Sequence, residues 1–338
     1  MDTSSDRSTA NGSPNDIGDV REAMIAKPGR RWLRIILTFL LFAIVAWGGW
    51  KLLGPEPDLR STINVEEILP DGDSIGDREP LVEGSLLSRI DQATIDSAKH
   101  PFDPLLAVAE KALQQTDETV TDYTAIIVSQ VRIKGKLLPE QKVACKIRHP
   151  RTTGEDQSGL SVYMKFLGPA SSADQEVIWV EGQNDGNLIA HTTGLMNLAR
   201  FHLKPNSMLA MRNSRHPITE IGFRNLMAKI VEQGSRDRKY AECEVTVKRN
   251  IGIDGRKCVM LEVMHPVQRE HFEFHIARIY LDQELEIPIA YEGFSWPEEE
   301  GGEPVLEEKY FYTELKLNVG LQDSDFDPSN PAYDYPAE

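Results

Sequence analysis

The fold is decided by residues 161–191, which read SVYMKFLGPASSADQEVIWVEGQNDGNLIAH. Val162, Met164 and Phe166 recur at a period of two, which predicts a strand that the following Gly-Pro pair ends. The run EVIWV predicts a second strand, and Asn184-Asp185-Gly186 predicts a hairpin turn because these residues tolerate positive φ. Apolar residues fall on both faces of these strands. This pattern indicates a curved sheet whose concave side is also covered.

The remaining pattern completes an α+β fold. A helix is predicted to begin at Asp103-Pro104, with Asp103 as N-cap, and a second is predicted to begin at Pro217. Residues 194–211 are apolar but irregular. We expect a strongly curved antiparallel sheet, an unclosed half-barrel, with helices in its concave side. The further predicted strands cover residues 123–133, 143–147, 240–249, 257–265, 271–281, 287–296 and 307–319.

The N-terminal part predicts a membrane anchor. Residues 1–31 are polar and are expected to form a disordered cytoplasmic tail, and residues 32–53 form an apolar run long enough to cross a bilayer. Lys and Arg are concentrated before this run, which by the positive-inside rule puts the N-terminus in the cytoplasm and the main domain outside. The predicted location is therefore the inner membrane, single-pass, with a periplasmic or extracytoplasmic domain. The alternative is a cleaved signal peptide, but no A-x-A cleavage site follows the run.

Three further segments follow the anchor. Residues 54–100 are acidic and contain several prolines, which predicts a linker. Residues 101–322 contain the predicted helices and strands and form the main domain. Residues 323–338 are rich in Pro, Asp and Asn and are predicted to be a C-terminal tail, with Phe326, Tyr333 and Tyr335 as its anchors.

Composition narrows the classes of function. The chain has 37 Lys+Arg against 53 Asp+Glu, a net charge of −16, which argues against nucleic-acid binding. The three cysteines have no zinc spacing. We expect them to be small buried hydrophobes, with a Cys243–Cys258 bridge as the alternative. No cofactor and no metal are predicted.

Several short motifs in this order resemble a known family. They are Tyr123-Thr124-Ala125 at the start of a strand, Arg148-His149-Pro150 at the end of one, the EGQNDG turn, YTELKLNVG in the last strand, and Asp325-Phe326-Asp327-Pro328 after it. Over about residues 101–336 the chain resembles an uncharacterised bacterial envelope family, a domain of unknown function. More remotely it resembles the LolA/LolB-type lipoprotein carriers. That resemblance implies an unclosed, curved sheet that holds acyl chains between the sheet and its helices.

The strongest candidates for a metal or acid–base site are His271, Glu273 and His275, which would share one face of a predicted strand. Two histidines four residues apart on a strand are about 13 Å apart, too far to share a metal ion without another strand. A solvated polar face is the expected structure. No G-x-S-x-G nucleophile motif occurs, and no enzyme activity is predicted.

The predicted ligand-lining residues are apolar or methionine side chains of the strands and of the irregular middle region. Soft methionine side chains suit an acyl chain, although ordinary core packing is the alternative. The predicted set is Val162, Met164, Phe166, Trp179, Met196, Phe201, Met208, Met211, Phe223 and Met227.

Two functions are consistent with these features. The first is a membrane-anchored envelope protein that binds a lipid, an acyl chain or a lipoprotein. The second is a structural or sensory interaction module with a filled core and protein partners that the sequence does not name. The two differ in whether the hollow of the sheet takes up a ligand.

Overall fold

A computed structural model describes residues 87, 90–151, 158–193, 197, 199–240 and 242–337. The predicted tail, the predicted anchor at residues 32–53 and most of the predicted linker lie outside the described residues, as does Met196. Within the described part, no helix is both long enough and apolar enough to span a bilayer.

The described residues form one sheet of 12 antiparallel strands. Its order is β7-β6-β5-β4-β3-β1-β12-β11-β10-β9-β8, with the short β2 paired to β1 alone. The sheet is unclosed, because β7 and β8 are its two edges. The strands are β1 (Asp122–Ile133), β2 (Lys136–Leu137), β3 (Gln141–Arg148), β4 (Ser161–Gly168), β5 (Glu176–Val180), β6 (Leu188–His191), β7 (Arg200–Leu203), β8 (Glu244–Ile253), β9 (Arg256–Met264), β10 (Ile276–Asp282), β11 (Pro288–Ser295) and β12 (Val305–Leu317).

Within the described ranges, three helices accompany the sheet: α1 (Gln92–Ser97), α2 (Phe102–Thr119) and α3 (Phe223–Asp237). The buried stripe of α2 and Met227 of α3 pack in one cluster with residues of β8, β9 and β10. Phe223, at the start of α3, contacts Tyr123 of β1 and Tyr312 of β12 with ring centroids 4.4 and 6.0 Å apart. We call the side of the sheet that carries Tyr123 and Tyr312 the helix face, and the opposite side the outer face.

Strand register shows which residues share the helix face in the β1–β7 half. Tyr123 pairs with Ile147, Ile147 with Val162, and Val162 with Trp179, which forms one cross-strand row. Two residues further along β4, Met164 lies in the next row on the same face, paired with Cys145 of β3. Because side chains alternate along a strand, the residues between these rows lie on the outer face.

Packed structure begins earlier than the predicted linker boundary. Leu87, Ile90 and Ile95 are buried in the same cluster as α2, although they fall in the segment expected to be linker. Asp91 caps α1 by accepting a hydrogen bond from the backbone N–H of Thr94 at 2.8 Å. Residues 90–97 are therefore part of the packed domain.

Several predicted boundaries were wrong. Helix α2 has Pro101 rather than Asp103 as its N-cap, because the carboxylate of Asp103 instead binds the guanidinium of Arg238. Pro217 precedes only a short 3₁₀ turn (Ile218–Glu220), and α3 begins after Gly222. Strand β10 begins at Ile276 rather than His271, and strand β8 begins at Glu244 rather than Tyr240. The region after His191, predicted to be irregular, contains the edge strand β7.

All three cysteines are free thiols, so the alternative Cys243–Cys258 bridge was wrong. Cys145 and Cys258 are buried, and burial raises the pKa of each of their thiols to about 12. The thiols behave as small apolar side chains.

Candidate functional site

The candidate site is an apolar part of the helix face on strands β4–β7. Met164 pairs with Val177, Val177 with Ala190, and Ala190 with Phe201, which forms a row that reaches the sheet edge. Phe166 lies two residues beyond Met164 on β4 and shares its face. We call Met164, Phe166, Val177, Ala190 and Phe201 the open apolar surface.

The open apolar surface becomes more exposed toward the sheet edge. Val162 and Trp179, in the neighbouring row, are buried. Met164, Val177 and Ala190 are partly buried, and Phe201 is 40% exposed. The surface therefore runs from a buried inner end to an accessible rim.

The helices cover a different part of the same face. The buried residues of α2 pack with strands β8–β10, and the start of α3 lies over β1 and β12. The cluster that contains Val162 and Trp179 also contains Phe223 of α3, and the segment after β7 packs against it through Ala210, Ile218 and Ile221. Within the described structure, the helix face is therefore covered by helices over β1, β12 and β8–β10 and is less covered over β4–β7.

The predicted ligand-lining residues separate into three groups. Val162, Trp179 and Phe223 share one buried cluster, and Met164 packs against it, whereas Met227 is buried in the other cluster with α2. Phe166 and Met211 are partly buried, and Phe201 and Met208 are exposed, Met208 by 91%. The sequence alone did not separate these environments, because apolar character does not report depth.

The buried polar groups of the helix face that have no hydrogen-bond partner, which also include Nε2 of His149, contain two donors. The indole Nε1 of Trp179 and the hydroxyl of Tyr123 are both buried and unpaired. Burial raises the pKa of the Tyr123 hydroxyl well above 10.0, so the phenol is neutral and keeps its proton. Both groups are therefore free hydrogen-bond donors.

The outer face of the same strands is covered by the C-terminal segment, residues 321–337. Leu321 and Phe326 are buried with residues of β4 and β5, and Tyr333 stacks on Tyr163 with ring centroids 4.1 Å apart. Tyr335 packs edge-on against His191 at 4.5 Å. The segment expected to be a C-terminal tail thus packs on the sheet, with its three aromatic residues as contacts.

A fully buried ion pair lies beneath this segment. Glu176 accepts hydrogen bonds from the Tyr163 hydroxyl at 2.8 Å, from His191 Nε2 at 3.0 Å and from the backbone N–H of Asp334 at 2.9 Å. The side chains of Glu176 and His191 are both 0% exposed. The other ring nitrogen of His191 faces two more oxygens, the backbone oxygen of Thr192 at 2.7 Å and Asn197 Oδ1 at 3.1 Å. Because both nitrogens face acceptors, we assign His191 as an imidazolium paired with the Glu176 carboxylate.

A second ion pair fixes the C-terminal segment near β3. Lys146 Nζ lies 2.6 Å from Asp325 Oδ1 and donates to the Tyr333 hydroxyl at 3.1 Å. Burial disfavours both charges, but the hydrogen bonds and charges of the pair outweigh it. The pKa of Lys146 is raised above 10.5, and the pKa of Asp325 is lowered below 3.8.

Neither pair was predicted, because Glu176 meets His191 and Tyr163 only across paired strands, and Lys146 meets Asp325 and Tyr333 only through the C-terminal segment. The available signal was the presence of three aromatic residues in an otherwise polar C-terminus.

The histidines singled out in the sequence do not assemble a reactive site. His271 is exposed and stacks on Tyr240 at 3.7 Å, and Glu273 is exposed. His275 binds the backbone oxygen of His265 at 2.8 Å. Over the residues described, no group of three or more His, Cys, Asp or Glu side chains could hold a metal ion.

The described residues form an α+β domain, in which an unclosed antiparallel sheet carries helices beside an apolar surface. The chain belongs to the family described as "Protein of unknown function (DUF1571)", whose model matches residues 120–335. The prediction of an uncharacterised family is therefore confirmed, and the match includes the C-terminal segment almost completely. None of the curated proteins matches the chain.

Solved structures give low-identity matches. A DUF1329 family protein from Desulfovibrio piger is 14% identical, with 68% of this chain and 98% of that chain covered and a TM-score of 0.34. A LolA superfamily protein from Nitrosomonas europaea is 13% identical, with coverages of 65% and 97% and a TM-score of 0.25. The lipoprotein LppX from Mycobacterium tuberculosis is 11% identical, with coverages of 65% and 98% and a TM-score of 0.35.

Proposed function

We propose that this protein is a membrane-anchored envelope protein that binds the apolar chain of a lipid, an acyl group or a lipoprotein at the open apolar surface. The observation that carries the proposal is the unequal covering of the helix face. Helices pack over β1, β12 and β8–β10, whereas the surface on β4–β7 is apolar and reaches the sheet edge. A contiguous apolar surface of this kind marks a binding site.

The chemistry of the surface fits an acyl chain. Met164, Phe166 and Phe201 are apolar and partly or largely accessible, and methionine adapts its shape to a flexible ligand. The segment after β7 adds Met208 and Leu209, which are 91% and 59% exposed. In this proposal the sheet curves around its helix face, and this segment moves over the bound chain.

The anchor in this proposal is residues 32–53, with the N-terminus in the cytoplasm and the domain in the periplasm or outside the cell. The basic residues that precede the apolar run support this orientation. Alkaline carbonate extraction of membranes tests the anchor, and protease digestion of spheroplasts tests the orientation. A protein released by carbonate, or a domain protected from external protease, would contradict it.

Photo-crosslinking in the full chain tests the binding. A palmitic acid analogue that carries a diazirine and an alkyne is supplied to cells that express the protein, and crosslinked peptides are mapped by mass spectrometry. We expect crosslinks on residues 161–168 and 200–211 and their loss in Phe201→Asp. The matched control is Val267→Asp, because Val267 is also exposed, by 46%, but lies beyond β9. Crosslinks restricted to residues 32–53, or labelling unaffected by Phe201→Asp, would refute the proposal.

The alternative function is a structural or sensory module without a ligand. It is favoured by the close packing of Val162, Phe223 and Met227, which are fully buried at 0%, 0% and 1% exposure. In that case affinity capture from membranes recovers a protein partner, and no crosslink appears in the domain.

We infer that the domain is not an enzyme. Two carboxylate–histidine pairs are buried among the described residues. Asp237 and His265 lie 3.4 Å apart with both side chains buried. Glu176 and His191 have their hydrogen-bonding atoms occupied by Tyr163, Asp334 and Asn197. A substrate cannot reach this pair without displacement of the C-terminal segment. Its arrangement suits a structural role on the outer face, opposite to the open apolar surface.

A further inference from the structure

Trp179 carries a hydrogen-bond donor that no described residue satisfies. The side chain is 7% exposed, and its Nε1 has no acceptor. Buried donors in native proteins almost always have a partner, so an unpaired one calls for an explanation. In this chain, Trp296 shows the ordinary arrangement, because its Nε1 donates to the backbone oxygen of His265 at 3.0 Å.

The position of Trp179 places this donor at the inner end of the open apolar surface. Trp179 pairs with Val162, and the residues two positions away on the same strands, Val177 and Met164, belong to that surface. The two rows are consecutive on one face of the sheet, about 7 Å apart along the strands. The indole Nε1 is itself buried, so a ligand that lies on Met164 and Val177 brings an oxygen atom to it only when the side chains over the indole move apart.

Tyr123 has the other unpaired donor of this row, but it is a poorer candidate. Its side chain is 0% exposed, and a Cβ added to Gly222 would lie 2.8 Å from its hydroxyl. The phenol is thus enclosed by the start of α3. Trp179, three strands away, borders the accessible part of the face.

The surroundings of Trp179 restrict the acceptor to an uncharged group. The helix-face residues of β4 to β7 beside it are Val162, Met164, Phe166, Val177, Leu188, Ala190, Phe201 and Leu203, none of which carries a charge. An anion placed there would be desolvated without a counter-ion. A neutral carbonyl oxygen needs a single donor, which the indole N–H provides.

We propose that Trp179 donates a hydrogen bond to the uncharged carbonyl oxygen of an acyl ester or acyl amide, whose hydrocarbon chain lies across the open apolar surface. The proposal rests on the proposed function and adds the class of ligand and its orientation. The acyl carbonyl enters first and the chain extends toward Phe201. Esters are the acyl groups of glycerolipids, and amides are the acyl groups of N-acylated peptides.

The test compares ligands that differ only in the polar group. Full-length protein is titrated with methyl palmitate, N-methylpalmitamide, palmitate and octadecane, each delivered from cyclodextrin. We expect the ester or the amide to bind about tenfold more tightly than octadecane, the size of effect that one buried hydrogen bond gives. Whichever of the two binds more tightly identifies the source of the carbonyl.

Two substitutions separate the hydrogen bond from packing. Trp179→Phe retains an aromatic ring but removes the N–H, and it is expected to abolish the preference for a carbonyl while leaving octadecane affinity within about twofold. Trp296→Phe is the matched control and leaves the preference intact. In proton–nitrogen NMR spectra, the indole signal that Trp179→Phe removes should move downfield when the ester or amide is added.

Three results would overturn the proposal. Equal binding of octadecane and both carbonyl ligands would show that the indole N–H makes no bond to the ligand. A Trp179→Phe variant that weakens all ligands alike would show that only the ring packs. Binding of none of the four would refute the proposed function, and this inference with it.

Discussion

The sharpest stability prediction concerns the buried pair of Glu176 and His191 under the C-terminal segment. Glu176→Gln keeps the shape of the side chain but removes its charge. The imidazolium of His191 then remains 0% exposed without its counter-ion. In addition, the new amide N–H₂ must face a donor, because the three hydrogen-bond partners of Glu176 donate to it and its ion-pair partner Lys165 carries donors as well.

The magnitude follows from what the substitution leaves behind. Removing one member of a buried ion pair destabilises a protein by about 3–5 kcal/mol. His191→Gln should destabilise by less, about 1–3 kcal/mol, because Glu176 keeps its bonds from Tyr163 and Asp334. The double variant should lose less unfolding free energy than the two single variants lose in sum, by about 1–3 kcal/mol, since it leaves no buried charge without a partner.

Urea denaturation of the four proteins measures these free energies of unfolding. The control is Glu232→Gln, whose pair with Arg236 is exposed, with side-chain exposures of 69% and 52%. It should change stability by no more than about 0.5 kcal/mol. Chymotrypsin should also cleave Glu176→Gln faster after Tyr333, because the bond to the Asp334 N–H is weakened. Additive effects below about 1 kcal/mol each would refute the assignment of a buried charged pair.

Three further predictions follow from individual contacts. Because the pKa of Lys146 is raised, its ion pair stabilises the fold below pH 10.5, and this stability is lost as pH rises through the folded pKa. Because the pKa of Asp325 is lowered, the pair stabilises the fold above pH 3.8, and this stability is lost as pH falls through the folded pKa. Lys146→Met should therefore weaken the dependence of the urea midpoint on pH, both at acid and at alkaline pH. A pH dependence equal to that of the wild type would count against the pair. Gly222→Ala should destabilise by about 1–3 kcal/mol in urea denaturation, since φ is +102° and the new Cβ would meet the Tyr123 hydroxyl; wild-type stability would disprove that contact. Cys145, with its pKa near 12, should react with a thiol reagent at pH 8 only after unfolding, and rapid native labelling would show that it is accessible.

Local pattern predicted most of the sheet. Strand β5 was predicted with its observed bounds, and the turn after it has positive φ at Asn184, Asp185 and Gly186, as the residue types indicated. These features depend on neighbouring residues, so the sequence displays them directly. Strand β7 was missed because it has only four residues and pairs on one side alone.

The burial of individual side chains, and the element that packs over each of them, could not be predicted in the same way. Met208 and Met227 look alike in the sequence, yet one is 91% exposed and the other 1% exposed. Their difference is set by which distant element packs against each. The same holds for His191, which packs against Tyr335 of the C-terminal segment, 144 residues further along the chain.

The pairing of β1 with β12 has a consequence for the order of folding. These strands meet from Tyr123–Leu317 to Val131–Glu308, in the middle of the sheet rather than at an edge. During synthesis the hairpins on either side can form early, but the seam between them must wait until β12 has been translated. Until then both halves expose unpaired strand edges, so chaperone binding to the nascent chain should end when β12 emerges.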